Sequence, residues 1–100
     1  MNNNADMLLN NFDVAACDSV NLMYTEFLFS IQHVDRMKHE NTVHLWSNKY
    51  MDRLKQRLEG TAQEYISGNR DIRTIDWFQK KLMYMIRLHL QEFSQMIRYV

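Results

Sequence analysis

Apolar residues recur at spacings of three and four along most of this chain, which is the period of an α-helix. No run alternates apolar and polar residues in the manner of a β-strand. The sequence contains no proline and only two glycines, Gly60 and Gly68. Such sparse helix breakers favour long helices joined by short connections. We therefore predict an all-α fold.

The first helical stripe runs through the N-terminal third of the chain. Leu9 and Phe12 share the phase of the residues that follow, which leaves open whether residues 4–38 form one helix or two. We predict a short N-terminal helix, a break between Asp13 and Asp18, and a candidate disordered end at residues 1–4. The inner face of the longer helix is predicted to be Ala16, Val20, Met23, Phe27, Ile31 and Val34.

The second stripe begins after Asn41, a good N-cap residue. Gly60 either stops this helix, with Thr61 and Glu64 as a capping box for the next one, or is tolerated inside it. We favour the continuous helix because the stripe keeps its phase across Gly60. Gly68 is predicted to end it as a left-handed residue. The predicted inner face is Val43, Trp46, Tyr50, Leu54 and Leu58.

The final helix, capped by Asp71 or Thr74, carries apolar residues on two opposite faces. The main face comprises Ile75, Phe78, Leu82, Met85, Ile86, Phe93, Met96, Ile97 and Val100. A surface helix needs one apolar face, so the second must be covered by another helix, a second subunit or a partner. The minor face of the final helix is Trp77, Tyr84 and Leu88, and the first long helix has a weaker one in Leu22 and Phe29.

Short connections join neighbouring antiparallel helices. The predicted architecture is therefore an up-down antiparallel bundle of three long helices plus the short N-terminal helix, in one domain spanning residues 1–100. A slender bundle has too small an interior to bury the second apolar face of its helices as well as the first. We therefore predict a homodimer.

Charge and hydropathy narrow the class of partner. The formal net charge is zero; residues 1–50 carry three Lys/Arg and six Asp/Glu, and residues 51–100 carry nine and six. A balanced charge disfavours a dedicated nucleic-acid binder, although the basic second half, with Trp77 and Tyr84 interleaved, keeps a nucleic-acid-binding regulator as an alternative. No apolar run is long enough to span a bilayer, and the N-terminus lacks a secretory pattern, so we expect a cytoplasmic protein without a membrane span.

The sequence offers little catalytic or metal-binding chemistry. Cys17 has no second thiol with which to form a disulfide or a metal motif, and is predicted to be a small packing residue. His39 and His44 are five residues apart, whereas a helical metal pair needs four. His89 falls on the main stripe of the final helix, where a hydrogen-bonded core histidine is expected. We predict no cofactor, no metal ligand and no catalytic residue.

The remaining pattern favours interaction with a protein. Eight methionines are unusual in 100 residues, and four of them, Met7, Met37, Met51 and Met83, lie off the main stripes. Flexible thioethers at a surface suit adaptable helix binding. The sequence therefore predicts a non-enzymatic interaction module, such as a regulator, inhibitor or chaperone-like adaptor. A haem- or metal-binding bundle centred on His89 is a second alternative. The predicted contact surface is Leu22, Phe29, Trp77, Tyr84 and Leu88.

Overall fold

The computed structural model describes residues 3–32, 34, 40–68 and 76–98, which contain three α-helices and no strand. Helix α1 spans Asn3–Ile31, α2 spans Glu40–Gly68 and α3 spans Asp76–Arg98. The helices form an elongated bundle measuring 56 × 18 × 16 Å. The prediction of an all-α bundle is confirmed.

Helix α1 is continuous, so the separate short N-terminal helix and the break between Asp13 and Asp18 were wrong. No glycine or proline interrupts this segment, and the apolar stripe holds one phase throughout it. Polar side chains within α1 are also accommodated without disturbing the backbone. The Thr25 and Ser30 hydroxyls each donate a hydrogen bond of 2.9 Å to the carbonyl oxygen four residues earlier.

Helix α2 passes through Gly60 without interruption. Thr61 does not cap a new helix, because its hydroxyl donates to the Arg57 carbonyl oxygen at 2.9 Å, as in a continuous helix. The helix begins at Glu40, one residue before the expected cap. Gly68 ends it as predicted but not in the left-handed conformation. The expected turn and caps before α3 fall in residues 69–75, outside the described residues.

The core is built from the three predicted stripes. Its largest wholly buried side chains include two phenylalanines of α1, Phe12 and Phe27, and two of α3, Phe78 and Phe93. Phe12 packs edge-on against Tyr65, with ring centroids 5.9 Å apart, and Phe27 packs edge-on against Tyr50 at 6.1 Å. Val34 and Val43, at the ends of their stripes, are only half-buried. The buried aromatic residues therefore lie where the 3.6-residue period places them.

Candidate functional site: a cysteine, histidine and carboxylate cluster between α1 and α3

The cluster joins the first and last helices. His89 of α3 is buried, with 6% of its surface exposed, as its position on the main stripe predicts. Its Nε2 lies 2.8 Å from Oδ1 of Asp13 on α1. Cys17 lies one helical turn after Asp13 on the same face of α1. One ligand-type atom from each of Asp13, Cys17 and His89 falls within 4.8 Å of the other two.

The hydrogen bond to Asp13 fixes the proton on the imidazole ring. An ionised carboxylate only accepts, so the Nε2–H of His89 must donate to it. In the neutral ring, Nδ1 then carries a lone pair. That atom is buried and has no hydrogen-bond partner. The nearest charged group is the Glu92 carboxylate, whose Oε2 is 3.7 Å away, beyond hydrogen-bond distance.

Cys17 lies in a negatively charged setting. Partial burial raises the pKa of its thiol above the ordinary value of 9.0, and the carboxylates of Asp13, Glu92 and Asp18 raise it further. A nucleophilic cysteine needs a lowered pKa, because the thiolate is the reactive form. The cluster has the residue types of a cysteine–histidine–carboxylate triad, but burial and the surrounding carboxylates favour the protonated thiol. The arrangement therefore suits cation binding better than nucleophilic attack.

The sequence pattern did not reveal this cluster. Asp13 and Cys17 are four residues apart, which places them on one face of a continuous helix. Because a break was expected between Asp13 and Asp18, Asp13 was interpreted as a helix cap and Cys17 as a packing residue. The third member is 72 residues further along the chain from Cys17. Its position depends on the register between two helices, which periodicity alone does not give.

The five predicted contact residues all lie at the surface, but the structure does not bring them together at one groove. Tyr84 and Leu88 line a groove between α1 and α3, together with Leu9 and Asp13. Leu22 lines a different groove, between α1 and α2. The other two, Phe29 and Trp77, are 72% and 42% exposed and line neither of these grooves.

The exposed apolar surface of α1 is larger than predicted. Met7 and Val14 are more than half exposed and add to Leu22 and Phe29. The four residues are spaced by seven, eight and seven positions, so they follow one side of the helix, opposite its buried stripe. At 1.5 Å per residue this stripe is about 33 Å long.

Several basic residues of α2 contact other side chains of the bundle. The Lys49 ammonium lies 4.8 Å from the Trp46 ring centroid, and Arg53 lies 5.1 Å from that of Tyr50. The Arg57 Nε–H donates to the buried Ser19 hydroxyl at 3.0 Å. Their four-residue spacing places Lys49, Arg53 and Arg57 along one side of α2, and each of them contacts a side chain of the bundle.

His44, the other histidine in the described part of the chain, belongs to no comparable cluster. It pairs with Glu40 at 3.9 Å, and both side chains are largely exposed. His33 and His39 lie outside the described residues.

Comparison with known proteins gave no match to a protein family, to a characterised protein or to a solved structure. Among the described helices, none is both long and apolar enough to cross a bilayer.

Proposed function

We propose that this protein is a non-enzymatic protein–protein interaction module, and that the outer faces of α1 and α3 bind a second copy of the chain. The observation that carries the proposal is the apolar surface on these two helices. Isolated exposed apolar residues are ordinary, but rows along a helix face are typical of contact surfaces. The surface, called the outer face below, comprises Met7, Val14, Leu22, Phe29, Trp77, Tyr84 and Leu88.

Charge complementarity favours a second copy as the occupant. Helix α1 carries four acidic residues and no Lys or Arg, a net charge of −4. Helix α3 carries four basic and two acidic residues, a net charge of +2. A two-fold dimer in which α1 of each copy lies against α3 of the other brings opposite charges together twice. Opposite charge at the rim of an apolar contact fixes orientation more than affinity.

We infer also that the helices alternate in direction, as an up-down antiparallel bundle does. Contacts between α1 and α2 support this: the Ser30 hydroxyl lies 3.0 Å from the Tyr50 hydroxyl, whereas Phe12 packs against Tyr65. Helices α1 and α3 then run parallel, consistent with the Asp13 to His89 contact. The outer-face residues Tyr84 and Leu88 consequently lie beside the N-terminal part of α1, where Leu9 and Asp13 line the same groove.

The oligomeric state tests this proposal directly. Sedimentation equilibrium of the purified chain over a wide concentration range should fit a monomer–dimer equilibrium. Trp77→Ala with Leu88→Ala should weaken the dimer by at least about 30-fold, since the two changes together remove apolar contact area worth about 2 kcal/mol or more. Leu45→Ala is the matched control, because Leu45 is 70% exposed but lies on α2.

A charge exchange tests the arrangement of the two copies. Lys80→Glu with Lys81→Glu should weaken self-association, and adding Asp18→Lys should restore part of it if α1 meets α3. A chain that stays monomeric at every concentration would overturn the proposed homodimer. A dimer unaffected by both the alanine and the charge variants would place the contact elsewhere and overturn the assignment of the outer face.

A further inference from the structure

The donor atoms around His89 are those that borderline transition metals prefer. Imidazole nitrogen, thiolate sulfur and carboxylate oxygen are the common protein ligands of zinc. Asp13 and Cys17 lie on α1 and His89 lies on α3, with one donor atom of each within 4.8 Å of the other two. Tetrahedral zinc bonds of about 2.0–2.3 Å place ligand atoms roughly 3.3–3.6 Å apart. Asp13 is exposed and Cys17 is partly exposed, so rotation of these side chains can close the difference.

The buried imidazole supplies a second, independent observation. Nδ1 of His89 is buried without a hydrogen-bond partner, an arrangement that normally destabilises a core. A cation on Nε2 would take the place of the proton now shared with Asp13. The ring would then carry its proton on Nδ1, facing the Glu92 carboxylate at 3.7 Å. Metal-binding histidines usually donate their other N–H to a carboxylate in this way.

We propose that Asp13, Cys17 and His89 bind a divalent cation of the zinc class, with Glu92 accepting the hydrogen bond from the second imidazole nitrogen. The site links α1 to α3 and rests on different residues from the proposed dimer contact. Cation binding releases the thiol proton of Cys17, and the thiolate becomes a ligand. Three protein ligands leave a fourth position for water or a further donor.

The charge around the cluster agrees with a cation. The carboxylates of Asp13, Asp18 and Glu92 lie close enough to act on the Cys17 thiol. Helix α1 contributes no Lys or Arg. Lys81 lines the adjoining groove with Asp13, and is the basic residue among those that line it. Sulfur and imidazole donors select zinc or cobalt over calcium or magnesium, which favour sites made only of oxygen.

Titration of the metal-free chain with Co²⁺ tests the site, because a cobalt–thiolate bond gives a charge-transfer absorption band. One equivalent of Co²⁺ should produce that band, and Zn²⁺ should abolish it by displacement. Cys17→Ser should remove the band, and Asp13→Asn should weaken binding. Glu92→Gln should weaken it by about 10–100-fold, as outer hydrogen-bond partners of metal ligands do. Zn²⁺ should also raise the unfolding temperature of the wild-type chain, since a ligand of the folded state stabilises it.

Two variants make the result specific. His44→Gln removes the exposed histidine that pairs with Glu40, and should leave the cobalt titration unchanged. His89→Gln should abolish binding; if that buried change unfolds the chain, the Cys17→Ser and Asp13→Asn titrations decide, with helicity checked by circular dichroism. Absence of a thiolate band in the wild-type chain would overturn the proposal. A band that survives Cys17→Ser, or an unfolding temperature insensitive to equimolar Zn²⁺, would overturn it equally.

Discussion

Gly60→Ala should stabilise the protein. Gly60 lies in the interior of α2, is exposed, and has neither a positive φ nor any atom within 4 Å of where a Cβ would stand. Alanine therefore enters without strain. It restricts the unfolded chain and favours the helical conformation, which together are worth about 0.5–1 kcal/mol at such a position. For a domain of this size, that gain raises the unfolding temperature by roughly 2–8 °C.

The assay is thermal and urea unfolding followed by circular dichroism, at one fixed protein concentration because self-association shifts the midpoint. Gly68→Ala is the matched control. It meets no atom either, but it is the last residue of α2, where helical propensity contributes less. A Gly60→Ala protein that is less stable than wild type, or no more stable than Gly68→Ala, would refute a continuous α2.

Two further perturbations probe the core and the cluster. Phe27→Ala removes a wholly buried ring that packs on Tyr50, and should lower the free energy of unfolding by about 3–5 kcal/mol in urea. Leu45→Ala, at a position that is 70% exposed, should change it by less than about 0.5 kcal/mol. Similar losses of stability in the two variants would contradict the assigned core. In chelator-treated protein, Cys17 should react with iodoacetamide more slowly near pH 9 when folded than when unfolded in urea, because burial and the neighbouring carboxylates raise its pKa. The same shift makes the free energy of unfolding depend on pH, because the folded state holds the thiol proton more tightly than the unfolded chain does. The stability that Cys17 contributes is present below the unfolded pKa of 9.0 and is lost as the pH rises through the higher pKa of the folded state. Cys17→Ala should remove that pH dependence, and equal alkylation rates would refute the shift.

The helical period was sufficient to predict that the chain is helical and to place most of the buried residues, because both are determined within one element. Ala16, Leu54 and Phe93 are buried where their stripes place them. The break in α1 was mispredicted because Asp13 and Asp18 are good cap residues by composition. In the folded chain their side chains are exposed to solvent on a continuous helix, so they need not cap anything.

The cluster of Asp13, Cys17 and His89 and the two separate grooves could not be predicted from the sequence. The cluster and one groove depend on which turn of α1 meets which turn of α3, and the other groove depends on the register between α1 and α2. Each register is set by the packing of whole helix faces. Leu22 and Tyr84 illustrate the limit: each was correctly placed off the main stripe, yet they line different grooves. The position of a residue in the helical period gives the direction in which its side chain leaves its own helix. Which residues that side chain contacts depends on how the neighbouring helix is packed.

The two proposals are physically coupled, because Tyr84 and Leu88 line the same groove as Asp13. A second copy seated on the outer face would reduce the water around the Asp13 carboxylate and so change its attraction for a cation. Binding free energies are reciprocal, and each dimer carries two sites, so filling both sites must change the dimerisation constant by the square of the factor that dimerisation applies to the zinc affinity of one site. Sedimentation with and without saturating Zn²⁺ gives the first quantity, and zinc titration of the dimer and of the Leu88→Ala chain gives the second. A departure from the square would show that Leu88→Ala alters the cluster itself, since a change confined to the contact between copies cannot break that relation.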